Sequence, residues 1–135
     1  MQYSKQERVN HVNDLIIAIG SVGRQFFYHA PKDRFAKFEL NQCGQVFFRD
    51  DYTDKLVYVC YRHRWRSFSH GGTLRDLVEK MRDYIRFEQT IPMGYFGLKP
   101  SFCDQDVWGY GEDAVNQLRE QIKQSPVIKE VVVNE

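Results

Sequence analysis

Cysteine is scarce and poorly placed for a scaffold. Only three are there, Cys43, Cys60 and Cys103. An odd, widely spaced set excludes a disulfide framework, and no Cys-x-x-Cys pair exists for a zinc finger or a redox motif. The three read as free thiols in a reducing, intracellular setting. Proline and glycine are also few, 4 and 9 in 135 residues, which excludes a fibrous repeat and a disordered chain. A surplus of one charge sign is missing. Nineteen Lys plus Arg against 18 Asp plus Glu leave a net charge of +1, so wholesale coating of nucleic acid is not expected. Long apolar runs are missing too. Leu15-Ile16-Ile17-Ala18-Ile19 falls far short of the roughly 18 residues that a membrane span needs. Polar residues precede it, so the first 20 residues do not read as a signal peptide.

What is abundant is core material. Hydrophobic residues make up 42% of the chain and aromatics 15%, enough for one core. With no repeat, linker or low-complexity segment, residues 1–135 read as one domain.

Ser4 and Glu7 have the spacing of a capping box and predict a helix start. Val9, Val12, Leu15, Ile16, Ile19 and Val22 follow at helical spacing, and Gly20 and Gly23 end the run. Strand-like segments come next. Residues 35–41 alternate apolar and polar, Gln42-Cys43-Gly44 is a turn, and 45–49 return. Asp50-Asp51-Tyr52-Thr53-Asp54 reads as a solvated turn, and Lys55 to Trp65 as the longest strand. Thr73 predicts the cap of a second helix, with Leu74, Leu77, Val78, Met81, Tyr84 and Ile85 on one face. Residues 88–111 have no periodicity. A third helix is expected near 112–124, then a last strand at 127–133. The order αββββα-loop-αβ predicts an α+β fold. Its antiparallel meander has four or five strands, with helices packed on one face.

Chemistry concentrates in three places. The first is Arg62-His63-Arg64-Trp65-Arg66. On a strand the three arginines share a face, and His63 and Trp65 take the other beside Val57 and Val59. Residues 61–86 carry seven Lys or Arg against three Asp or Glu, while 87–135 carry four against eight, so the chain is polarised. An arginine row suits phosphates or an acidic protein face. The bland alternative is a solvated strand end paired with local carboxylates.

The second place is Ser69-His70-Gly71-Gly72-Thr73, where free helix N–H groups, with Arg66 and Arg75, suit an anion. An ordinary strand-to-helix turn needs the same glycines. Neither a phosphate-binding loop nor a dinucleotide fingerprint is there. His-Gly-Gly without a Gly-x-Ser-x-Gly partner makes no esterase signature.

The third place is the loop from Phe87 to Gly111, with Tyr95, Phe96, Phe102, Trp108 and Tyr110. Such a loop either covers the core or faces a partner. The four histidines share no ligand spacing, so no metal site and no cofactor is expected. Cys60 reads as a buried, inert thiol.

Arg64 to Arg75, then Leu77-Val78 and Arg82-Asp83-Tyr84-Ile85, resemble small accessory proteins of bacteriophages and other mobile elements. Asp50-Asp51-Tyr52-Thr53 before the long strand fits the same likeness, which covers residues 45–86. The resemblance implies a bacterial, cytoplasmic setting and an accessory role, and carries over no catalytic residue.

The expectation is therefore a non-enzymatic binding protein that modulates or inhibits a host protein or nucleoprotein complex, such as a defence system. Arg62, Arg64, Trp65, Arg66, His70, Arg75, Arg82 and Arg86 are the expected charged or phosphate contacts. Tyr95, Phe96, Phe102 and Trp108 are the expected apolar ones. A nucleic-acid-binding module is the second reading. A small hydrolase or transferase around Cys103, His70 or the carboxylates is the third. A homodimer is compatible with the polarity, and no membrane partner is expected.

Overall fold

A computed structural model of the chain describes residues 3–23, 25–92, 95 and 112–129. Helix α1 spans Lys5–Gly20. It opens with the expected capping box: Ser4 Oγ accepts from the Glu7 N–H, and Glu7 accepts from the Ser4 N–H. These bonds also hold the Glu7 carboxyl below its ordinary pKa. Gly20 is required by close approach, because a Cβ there would lie 2.7 Å from the Phe35 ring.

Strands β1 (Tyr28–His29) and β2 (Arg34–Phe35) form an antiparallel hairpin around a 3-10 turn at Ala30–Lys32. Strands β3 (Lys37–Leu40), β4 (Val46–Arg49) and β5 (Leu56–Tyr58) form an antiparallel meander in that order. The five antiparallel strands are thus divided between a hairpin and a three-stranded sheet. Phe38 faces Phe48, and Phe48 faces Val57, so one sheet face is apolar and buried. Asn13 on α1 docks the open edge of β3. Its amide donates to Phe38 O at 3.1 Å and accepts from Phe38 N–H at 2.7 Å, which replaces a missing strand neighbour.

Helix α2 (Gly72–Phe87) buries the six apolar residues that its periodicity predicts. It packs on α1 and β4. Its cap differs from expectation. Gly71 is the N-cap, and Thr73 lies inside the first turn, exposed. The helix therefore starts two residues earlier than Thr73 would place it, with no side-chain cap hydrogen bond at Gly71.

Strand β6 (Ile91–Pro92), helix α3 (Glu112–Ile122) and strand β7 (Ile128–Lys129) complete the described fold. β7 pairs in parallel with β6, apart from the meander, and Ile91 N–H donates to Val127 O. The rest of the expected strand, residues 130–133, lies outside the described residues. The class is α+β, with helices packed against strands. No helix among the described residues is long and apolar enough to cross a membrane.

Candidate functional site

The segment expected to be one long strand from Lys55 to Trp65 stops at Tyr58. A turn at Val59-Cys60 bends the chain away, and Tyr61 N–H bonds back to Tyr58 O. The cause is Trp65. Its indole is buried and donates to Tyr61 O at 2.7 Å, which closes a loop that a strand could not make. The Arg75 guanidinium lies 4.1 Å over its ring, and Phe68 meets its edge at 5.2 Å. Arg75 also donates to Arg62 O, and Thr53 Oγ1 donates to Ser67 O. Trp65 therefore anchors the loop: its indole is nearly all buried and bonded within its own loop, and what is left of it lines the concave surface between the arginines.

This anchoring throws Arg62, His63, Arg64 and Arg66 outward, all exposed. None of the three guanidinium groups makes an ion pair or hydrogen bond among the described residues. The paired, solvated strand end is not what forms. A concave surface of about 560 Å³ runs between His63, Arg64 and Arg66.

The remaining predicted basic residues separate from this group. Arg75 packs on Trp65 and pairs with Glu79 at 3.8 Å. Arg82 donates to Val59 O at 2.8 Å and to Asp83 at 2.9 Å, so it supports the loop from beneath. Arg86 is exposed near the end of α2, over the Phe87 ring. Tyr95 is half-buried and donates to Asp76 at 2.8 Å; burial, then that bond, pushes its phenol pKa up. Phe96, Phe102, Cys103 and Trp108 lie outside the described residues.

His70 is the largest relocation. Expected to meet phosphate at a helix start, it is instead mostly buried, with Nε2 2.5 Å from Asp51 Oδ1. Asp50 and Asp51, read in the sequence as a solvated pair, are fully buried. The Asp50 carboxylate accepts from the N–H groups of Tyr52, Thr53 and Ser69 and from Ser69 Oγ, at 2.8–3.0 Å. It clasps the turn to a segment 19 positions away. A carboxylate offers about four acceptor sites, and here they are taken.

Asp51 is only half satisfied. Oδ1 meets His70, while Oδ2 is buried without a hydrogen-bond partner. Asp50, Asp51 and His70 offer ligand atoms within 4.8 Å of one another. The donor set suits a cation poorly, because Asp50 is saturated and the 2.5 Å contact is hydrogen-bond spacing rather than the separation of two ligands. No local signal marks these residues in the sequence. An Asp-Asp-Tyr-Thr-Asp run has the composition of any exposed turn, and its donors arrive from Ser69 and His70.

Comparison with known proteins places the chain. The YoqU family model matches residues 2–133. The chain belongs to the YoqU family. The SPbeta prophage-derived uncharacterized protein YoqU of Bacillus subtilis (strain 168) is 33% identical over 128 residues, covering 93% of this chain and 85% of that protein. The phage and mobile-element likeness read at residues 45–86 thus extends along nearly the whole YoqU-family chain. No solved structure matches it.

Proposed function

We propose that this YoqU-family protein is a non-enzymatic accessory binding protein of phage or mobile-element origin. It acts in the bacterial cytoplasm. It docks through Arg62, Arg64 and Arg66 on an acidic surface of a host protein or nucleoprotein complex and modulates that complex. The observation that carries this reading is the anchored loop, whose three guanidinium groups are exposed without any carboxylate among the described residues. A loop already ordered by Trp65 loses little freedom on binding, and its arginines give up no partner among the described residues. Basic charge presented this way also steers an acidic partner into contact.

Nucleic acid is the second reading. Tyr58 and Tyr61, 40% and 51% exposed, flank the arginines and could stack on bases. Trp65 is mostly buried, with the Arg75 guanidinium over its ring. The test is affinity capture from bacterial lysate with and without nuclease, using the wild type and an Arg62→Glu/Arg64→Glu/Arg66→Glu variant. A single host complex that survives nuclease and disappears with the variant supports protein docking. Capture abolished by nuclease transfers the function to nucleic acid. Capture that the variant leaves intact refutes the basic loop as the contact.

A further inference from the structure

A cavity of about 510 Å³ opens beside the buried dyad. Its lining includes Phe26, Phe27, Tyr28 and Pro31 together with Tyr52, Ser69 and His70. The volume falls in the range of small-molecule sites. Among the described residues, no Asp, Glu, Lys or Arg lines it. Its described polar groups are His70, Ser69, Gln25 and the tyrosine hydroxyls, which offer hydrogen bonds to a neutral ligand rather than a full counter-charge to an ionic one.

The dyad makes His70 directional. The 2.5 Å contact fixes the roles as a pair: with the Asp51 carboxylate accepting, the proton sits on Nε2 of His70. In the neutral ring that leaves Nδ1 as an acceptor, and Nδ1 has no hydrogen bond among the described residues. Phe27 and Phe68 pack against the imidazole with ring centroids at 5.0 and 5.5 Å and hold its plane. Tyr52 forms an exposed aromatic lip, edge-on to His70 and 4.3 Å from the His29 ring. Gln25 and Phe27 hold left-handed backbone, φ 54° and 65°, which non-glycine residues rarely adopt and which gathers at binding sites. The half-satisfied Asp51 is a second cost kept at the same place.

We infer that this cavity is a binding site for a neutral heteroaromatic ring of the nucleobase class. Tyr52 supplies the stacking face, and His70 Nδ1, oriented by Asp51, accepts a ring N–H or exocyclic N–H. The ring comes either as a free nucleoside or as a base of a single strand. The site does not depend on the basic-loop reading.

The test is 15N NMR of the full chain, following the His70 imidazole and the backbone amides. The probes, added separately, are adenosine, guanosine, cytidine, uridine, a short single-stranded oligonucleotide of mixed sequence, and zinc chloride alone. Before any addition, His70 should be the Nε2–H tautomer. At least one nucleoside should shift Nδ1 together with the Tyr52 and Ser69 amides. Tyr52→Ala, at an exposed position that leaves the dyad intact, should weaken that binding about tenfold. The triple arginine variant should leave nucleoside binding unchanged. Response to the oligonucleotide alone supports a base delivered by nucleic acid. The Nδ1–H tautomer, silence toward all nucleosides and the oligonucleotide, or a response of His70 to zinc only would overturn the proposal.

Discussion

The turn at residues 50–54 and the loop at residues 61–66 are both dense in charge, yet one buries it and the other displays it. Asp50 and Asp51 are fully buried, while Arg62, Arg64 and Arg66 stand in solvent. Two physical differences separate them. A carboxylate is compact and acceptor-only, so a few backbone N–H groups satisfy it, and Asp50 receives three plus a hydroxyl. A guanidinium carries five donors on a long stem and hydrates easily, so it is buried only against a partner. The second difference is what each loop is built around. The acidic turn is organised by its charge, and the basic loop by an apolar ring, Trp65. Charge density therefore says little about burial until the source of the hydrogen-bond partners is known.

Asp50→Ala attacks the acidic turn most directly. It strands the N–H groups of Tyr52, Thr53 and Ser69, and the expected loss is about 4 kcal/mol by urea denaturation. Asp50→Asn, which keeps an acceptor, should lose about half of that. If both variants fold as stably as the wild type, the clasp does not organise the turn.

Trp65→Ala attacks the basic loop at its anchor. It empties a buried ring site and should cost about 3 kcal/mol. It should also lower partner capture while all three arginines remain, which separates ordering of the loop from its charge.

Tyr84 is a control that belongs to neither loop. Its hydroxyl lies 2.8 Å from His11 Nδ1, and burial is the main cause raising its pKa. The unfolded chain releases this proton near pH 10, whereas the folded protein holds it longer. Above about pH 10 the unfolded state binds fewer protons, so stability falls as pH rises; below it this group leaves stability level. Tyr95, also raised, adds to the same fall. Tyr84→Phe should cost about 1 kcal/mol at neutral pH and shallow the alkaline decline, seen by denaturant titrations across pH. A decline of unchanged slope would assign it to other groups.

The smallest effect on stability belongs to Arg62→Glu/Arg64→Glu/Arg66→Glu. Exposed groups without partners should change it by under about 0.5 kcal/mol, although capture is lost. A large destabilisation would mean that these side chains hold the loop, and the contrast between the two regions would fail.

Much of the frame was legible along the chain. The Ser4–Glu7 box and the apolar stripes of α1 and α2 are local, because helical neighbours lie three and four positions apart. The turns between β3, β4 and β5 were legible for the same reason. The length of β5 was not, since Val59, Cys60 and Tyr61 have strand-like chemistry and only the seat of Trp65 ends the pairing. The partner of β7 was not, since parallel pairing joins residues 91 and 128 with no turn to announce it.

The candidate sites divide in the same way. The sequence by itself determined that this is an α+β chain with a capped first helix, an amphipathic second helix and an unusually basic stretch at 62–66. Those features follow from propensity and short periods, which act between near neighbours. Only the tertiary structure decided that Arg62, Arg64 and Arg66 are unpaired among the described residues, that Trp65 is buried, and that Asp51 and His70 meet beside a cavity. Each of those outcomes depends on which distant group supplies the hydrogen bond or excludes the water, and the free energy of a charge is set by that environment rather than by its residue type.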